Sequence, residues 1–265
     1  MASRDSVKRL EMAYQAQYAA TVGEIRPTPD RIIERYRRCR RWWIYPKELM
    51  FKYLNALGYI NKKILDLGCG TGEISTHLAK LGAHATAIDI SPELIEIAKK
   101  RAVLDGVQDR IQFIAADIEE YQLPRDKFDC VVCFAVLHHV DIQLLAPLIF
   151  SWLKPGGTAI MVEPIAFSPL LQRIRNLVPV PNEGGPNDRQ LDREGVSFIL
   201  NTFVDSRATY FNLFGRLQRL FPDSVIAYVM LGALDRLLVS LLPFLSKFYG
   251  TVVIIGEKPI DSQRI

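Results

Sequence analysis

From residue 63 to residue 163 the sequence alternates short apolar runs with helix-like stretches, and this alternation restricts the fold more than any other feature. Residues 63–67, 85–88, 111–115, 128–134 and 158–162 read as strands. They are continuously apolar rather than alternating, as expected of strands covered on both faces. The stretches between them read as helices. One spans residues 73–81 and is closed by Gly82. Another is capped by Ser91 with Pro92 in its first position, and repeats apolar residues at Leu94, Ile95, Ala98 and Ala102. A third covers 144–153 and ends in Lys154-Pro155-Gly156-Gly157. The pattern predicts an α/β chain with a doubly wound, mostly parallel sheet.

Each strand ends on a residue able to do chemistry. The first delivers Asp66 into Gly68-x-Gly70-x-Gly72, the second ends at Asp89 and the third near Asp117. The fourth leads to His138 and His139, and the fifth to Glu163. In an open parallel sheet these positions gather at one edge, where ligands bind. Glycines let the backbone turn sharply and lie directly against a ligand. Asp89, at the end of the second strand, is placed to accept hydrogen bonds from two ribose hydroxyls, which argues for a nucleoside. A dinucleotide loop would read G-x-G-x-x-G, but Glu73 stands where the third glycine of that fingerprint belongs. Asp66 would repel a pyrophosphate and suits a ligand carrying an ammonium and a sulfonium.

With LDLGCGTG, DISPELIEIAKK, FIAADIEEY, FDCVVCFAVLHHV and LKPGG in this order, residues 63–163 resemble the class I S-adenosylmethionine-dependent methyltransferases of the small-molecule type. The resemblance implies a seven-stranded Rossmann-like sheet closed by an antiparallel hairpin of strands at 207–213 and 251–257, with a helical insertion at 214–249 between them. It implies that Asp66, Gly68 and Gly70 contact the methionine portion of the cofactor, with Cys69 and Gly72 also among the cofactor-binding residues. Asp89 would hold the ribose, Ile90 would pack on the adenine, Asp117 and Ile118 would read its amino group and ring face, and Phe134 would line the same site. Residues 1–60 are expected to form a helical lid, 61–164 the cofactor-binding core, and 165–265 the acceptor side of the same domain.

The acceptor is harder to read. Methyl transfer is an in-line displacement that needs alignment, and a base helps when the nucleophile is a hydroxyl. His138 and His139 are the candidate bases, and Glu163 is a candidate to position the acceptor. No D/N-P-P-Y/F signature follows the fourth strand, so an exocyclic-amine nucleic-acid substrate is not expected; no metal cluster is apparent either. A lipophilic or amphipathic small molecule is the favoured acceptor, such as a specialised metabolite, quinone or lipid precursor, with O- or C-methylation. Trp42, Trp43 and Tyr45 are expected in the core or facing that acceptor.

Two features keep other readings open. Six arginines between Arg31 and Arg41, in a chain of net charge +4, make a basic helical face that would suit RNA or another polyanion. The apolar run 225–245 would suit a membrane surface, yet Asp235, Arg236 and Pro243 argue against a span. A cofactor-binding module without catalysis, acting at membranes, is the remaining alternative. The N-terminus has no signal-like apolar run, and Cys39, Cys69, Cys130 and Cys133 form no disulfide framework. A cytoplasmic protein with peripheral membrane contact is therefore expected. Cys130 and Cys133 form a C-x-x-C inside an apolar strand, which reads as structural.

Overall fold

The computed structural model describes residues 4–38, 45–165, 167, 190–211 and 225–260. Arg40, Arg41, Trp42, Trp43 and Cys39, the Pro/Gly-rich stretch 178–189 and the first part of the 214–249 insertion lie outside them.

Seven strands form one sheet in the order β3-β2-β1-β4-β5-β7-β6. They are β1 (Lys63–Leu67), β2 (His84–Asp89), β3 (Ile111–Ala115), β4 (Phe128–Phe134), β5 (Leu153–Pro164), β6 (Asp205–Phe211) and β7 (Thr251–Glu257). The first five run parallel, while β7 pairs antiparallel with both β5 and β6. This is the mostly parallel sheet with a terminal antiparallel hairpin that the sequence predicts. Helices α4 (Glu73–Lys80), α5 (Pro92–Leu104) and α6 (Ile142–Trp152) link the parallel strands. The N-terminal helices are α1 (Arg4–Thr21), α2 (Asp30–Arg37) and α3 (Pro46–Leu57). Helix α7 (Arg193–Thr202) precedes β6, and α8 (Val225–Leu241) sits between the last two strands.

The central strands β1, β4, β5 and β7 carry buried apolar runs because both their faces are packed. On one face Leu65, Leu67, Val131 and Met161 pack with Leu145, Ile149 and Ile199 from α6 and α7. On the other, Ile64, Val132 and Ile160 meet Leu49, Phe51, Leu54 and Leu78 from α3 and α4. Cys130 belongs to the second cluster and Cys133 to the first. A spacing of three along a strand puts their side chains on opposite faces, so the C-x-x-C is two separate core residues.

Boundaries differ from the sequence reading at two places: the strand expected at 207–213 begins at Asp205, and a second difference lies at the start of β5. Lys154-Pro155-Gly156-Gly157 was expected as the end of a helix, but it lies within β5, where the pairing register to β4 shifts after Phe128. Gly156 adopts φ 75°, and its N–H donates to Lys258 O at 2.9 Å. This bulge needs an extra residue in a left-handed conformation, which is what glycine supplies.

Helix α2 carries the described arginines. Ile33 is its buried residue, and Tyr36 stacks on Phe51 of α3 at 4.0 Å between ring centroids. Arg35 pairs with Glu48, while Arg37 and Arg38 pair with Glu34. Among the described residues no helix is long and apolar enough to cross a membrane.

Candidate active site

The strand order reverses between β2-β1 and β4-β5, so the loop after β1 and the turn after β4 lie side by side at the carboxyl edge. Gly68 (φ 62°) sits where they meet: a Cβ there would come within 2.3 Å of Val136 Cγ2. Gly70 (φ 51°) is different, because a Cβ there would meet no atom within 4 Å. Its backbone is therefore bare toward open space and can be approached closely. Gly72 (φ 74°) precedes α4, and a Cβ would lie 2.6 Å from Ala98 Cβ, so this glycine lets α5 pack. The Arg101 guanidinium of α5 donates to Thr71 O at 3.0 Å and ties the loop down.

Asp66 is fully buried at the base of this loop and accepts a hydrogen bond from Ser75 Oγ of α4. Burial pushes its carboxyl up to about 7; the nearby Asp89 charge adds to the rise, whereas the Ser75 hydroxyl and Lys47 oppose it. Asp89 is also buried. Its Oδ2 accepts from Gly70 N at 2.8 Å and its Oδ1 from Ser91 N at 2.9 Å. Burial raises its pKa as well, with those two amides holding the rise back.

Asp117, after β3, accepts from Glu119 N at 2.9 Å and pairs with Lys8 of α1. The same ammonium lies 2.8 Å from Glu120 Oε1 and 3.4 Å from Glu119 Oε2. Although burial works against the charge, these carboxylates together hold the Lys8 pKa above its ordinary value. One face of α1 is thereby fixed to the β3 end of the site.

The turn after β4 is built around Glu163. This side chain is fully buried; its Oε1 accepts from Val136 N and Leu137 N, both at 2.9 Å, and its Oε2 lies 2.8 Å from His138 Nδ1. Three donors on one carboxylate offset the cost of burying it. Ala135, just before, has φ 58°, a left-handed conformation that costs a non-glycine residue ~1–2 kcal/mol. The Glu163 bonds and the bond from Ala135 N to Val162 O at 2.8 Å hold that strain. His138 is buried and its ring lies 3.9 Å, centroid to centroid, from the half-buried His139. His139 Nδ1 is 3.6 Å from Glu11 Oε2 of α1.

The structure thus gathers Asp66, Gly68, Gly70, Asp89, Asp117, His138 and His139 along one sheet edge, and the other expected residues have distinct surroundings. Glu163, expected as a candidate to position the acceptor, is enclosed, with one oxygen on the Val136 and Leu137 amides and the other beside His138. The Cys69 side chain packs with Ala87, Ile95 and Ala102, and burial pushes its thiol pKa well up. It is a core residue, leaving only its backbone for the loop. Gly72 faces α5, as described, rather than open space. Ile118 belongs to the main core, Phe134 is partly buried against the α3 side, and Ile90 is half-buried between Asp89 and Ser91. Sequence reasoning missed Ser75, Lys8, Glu11 and Val136. Lys8 and Glu11 stand three apart, on one helix face, but no local pattern joins them to partners more than a hundred residues away.

These groups form a consistent acceptor set. Carboxylates of Asp66, Asp89 and Asp117 lie along the edge that carries this bare stretch of backbone, and Glu11 Oε2, buried without a hydrogen bond, faces His139 beside them. Such a set accommodates a cationic, hydroxyl-bearing ligand and disfavours a phosphate. Residues 64–157 match the family described as a methyltransferase domain. Over these residues the chain is similar to a methyltransferase domain. A mitochondrial ubiquinone biosynthesis O-methyltransferase from Schizosaccharomyces pombe is 50% identical over 107 residues, covering 39% of this chain and 38% of that protein. A ubiquinone biosynthesis O-methyltransferase from Xylella fastidiosa is 40% identical over 111 residues, covering 38% and 44%. The chain therefore spans about two fifths of the length of these relatives. The crystal structure of a geranyl diphosphate C-methyltransferase from Streptomyces coelicolor aligns with 97% of this chain and 100% of its own, with TM-score 0.64 at 12% identity. At that identity the likeness speaks for the fold around the methyltransferase domain alone.

Proposed function

We propose that this protein is an S-adenosylmethionine-dependent methyltransferase that O-methylates a lipophilic phenol of the quinone-precursor kind. The observation that carries the reading is the Asp66–Gly70–Asp89 constellation: two buried acids flanking a backbone that a Cβ-free residue leaves open. Asp66 attracts the ammonium of the methionine portion, and Gly68 and Gly70 let that portion lie on the backbone. Asp89 accepts from the ribose hydroxyls with the lone pairs its two amide donors leave. Asp117, Ile118 and Ile90 border the adenine, and Phe134 lines the same site. Bound S-adenosylmethionine supplies an electrophilic methyl group on a sulfonium. His139 takes the proton of the acceptor hydroxyl, and Glu163 and His138 hold the turn that carries it.

The curated relatives named as ubiquinone biosynthesis O-methyltransferases support oxygen as the methylated atom and a quinone precursor as the acceptor class. The exposed row Ile226, Met230, Leu234, Leu237 and Leu241 on α8 supports a lipophilic acceptor delivered at a bilayer surface. A polyanionic acceptor gains little support, since Arg35, Arg37 and Arg38 already pair with glutamates.

The test is transfer of labelled methyl from S-adenosylmethionine to a panel containing polyprenylated catechols, short-chain catechols and an RNA pool. Label in the polyprenylated catechols, as a methyl ether, is the expected result. Label in RNA alone, or in none of the panel by protein that binds the donor, would refute the acceptor assignment.

A further inference from the structure

Helix α1 brings two charged residues, one turn apart, onto the carboxyl edge of the sheet. Lys8 engages Asp117, Glu119 and Glu120, which fixes the helix at the end of β3. Glu11 then faces His139. Its Oε1 accepts from Gln15 Nε2 at 2.8 Å, one further turn along the same face, which fixes the orientation of the carboxylate. Its Oε2 is buried, makes no hydrogen bond, and stands 3.6 Å from His139 Nδ1. That separation is an ion-pair distance, longer than a hydrogen bond. A small side-chain movement closes it, and catalytic hydrogen bonds are often long before ligands bind.

His139 is bounded on its other side by the His138 ring, which Glu163 Oε2 holds from behind at 2.8 Å. The charged groups facing this imidazole include Glu11 on α1, His138 in its own turn and Glu163 on β5, with Asp89 of β2 close enough to Glu11 for their charges to interact. Glu11 Oε2 is the carboxylate oxygen placed on the Nδ1 side of the ring, at 3.6 Å.

We infer that Glu11 is a positioning residue: it holds His139 as the tautomer protonated on Nδ1, so that the lone pair sits on Nε2, and the N-terminal helix thereby completes the active site. The inference rests on the methyltransferase reading, with His139 as base. The chemistry is that of a buried carboxylate behind a catalytic imidazole, where losing the acceptor leaves the ring in place with its proton on the wrong nitrogen. Here the acceptor comes from a helix outside the matched domain, residues 64–157.

The experiment uses the whole 265-residue chain labelled with ¹⁵N in its four histidines, saturated with S-adenosylhomocysteine. Long-range ¹H–¹⁵N spectra report which nitrogen carries the proton, and the His139→Gln variant assigns the signal. Wild type is expected to show Nδ1 protonated. Glu11→Ala is expected to move the proton to Nε2, the form favoured without an acceptor, and Glu11→Asp to keep it on Nδ1. In parallel, kcat for a polyprenylated catechol should fall about 100-fold in Glu11→Ala, in the range a misplaced acid–base group costs, while KM and S-adenosylhomocysteine affinity stay unchanged. An identical His139 tautomer in wild type and Glu11→Ala would overturn the inference, as would equal spectra for the Ala and Asp variants. Lost S-adenosylhomocysteine affinity with unchanged kcat would make Glu11 a cofactor ligand and overturn it too. Wild-type protein that fails to bind S-adenosylhomocysteine would instead sink the methyltransferase reading.

Discussion

Asp66 offers the sharpest separation between stability and function. Its carboxyl is pushed from an ordinary 3.8 up to about 7 by burial, with Asp89 adding and Ser75 and Lys47 subtracting. The folded state therefore binds a proton more tightly than the unfolded state, so this group's contribution to stability is full below pH ~4 and is lost as pH rises to about 7. At 1.36 kcal/mol per pKa unit the loss is at most about 4 kcal/mol. Asp66→Asn keeps an oxygen for the Ser75 hydroxyl and removes the charge. Free of ligand at pH 8, this variant is expected to melt several degrees above wild type, since ~1 kcal/mol moves Tm by about 2–4 °C in a chain of this size. The gap should narrow as pH falls toward 4. The same variant should bind S-adenosylmethionine about 10–100-fold more weakly, the worth of a charged hydrogen bond. Scanning calorimetry from pH 4 to pH 8, with titrations at pH 8, measures both. Superimposable Tm–pH curves, or unchanged affinity, would refute the assignment of Asp66 as a strained buried acid that waits for a cation.

The three loop glycines should separate by what a methyl group meets. Gly70→Ala enters open space and should lower S-adenosylhomocysteine affinity for ~1–2 kcal/mol of left-handed strain. Gly68→Ala and Gly72→Ala meet Val136 and Ala98, and should lower stability by an additional ~1–3 kcal/mol in chemical denaturation. Glu163→Gln leaves buried amides facing a mixed donor–acceptor group and is expected to cost about 2–3 kcal/mol, together with loss of the His138 contact seen by NMR. Reversing charge at Arg37 and Arg38 should leave turnover of a small lipophilic acceptor intact, because both side chains face water and Glu34; abolished turnover would favour a polyanionic acceptor.

The sheet was legible because its signal is local and redundant. Uninterrupted apolar runs mark strands buried on both faces, and Ser91-Pro92 marks the start of α5 without tertiary information. The acids at the strand ends were legible for the same reason, since topology alone brings them to one edge. What each does there was not. Glu163 ends its strand like a ligand-facing residue, but the Val136 and Leu137 amides that consume it belong to a turn 26 to 27 residues earlier. Cys69 and Gly72 lie inside the loop motif, yet their environment is set by α5, which packs across it. Lys8 and Glu11 look like ordinary surface charges of an amphipathic helix. Their partners, Asp117 and His139, are fixed only when α1 docks. Bulge formation at Gly156 likewise depends on Lys258, from the far end of the chain.

Isothermal titration calorimetry with S-adenosylhomocysteine bears most directly on the cofactor pocket at the β1–β4 edge. One molecule should bind per chain, and Asp89→Ala, which removes both the expected ribose acceptor and the clamp on Gly70, should abolish binding while far-ultraviolet circular dichroism stays that of the folded protein. Folded wild-type protein that takes up no S-adenosylhomocysteine, or Asp89→Ala that binds as tightly as wild type, would contradict the assignment.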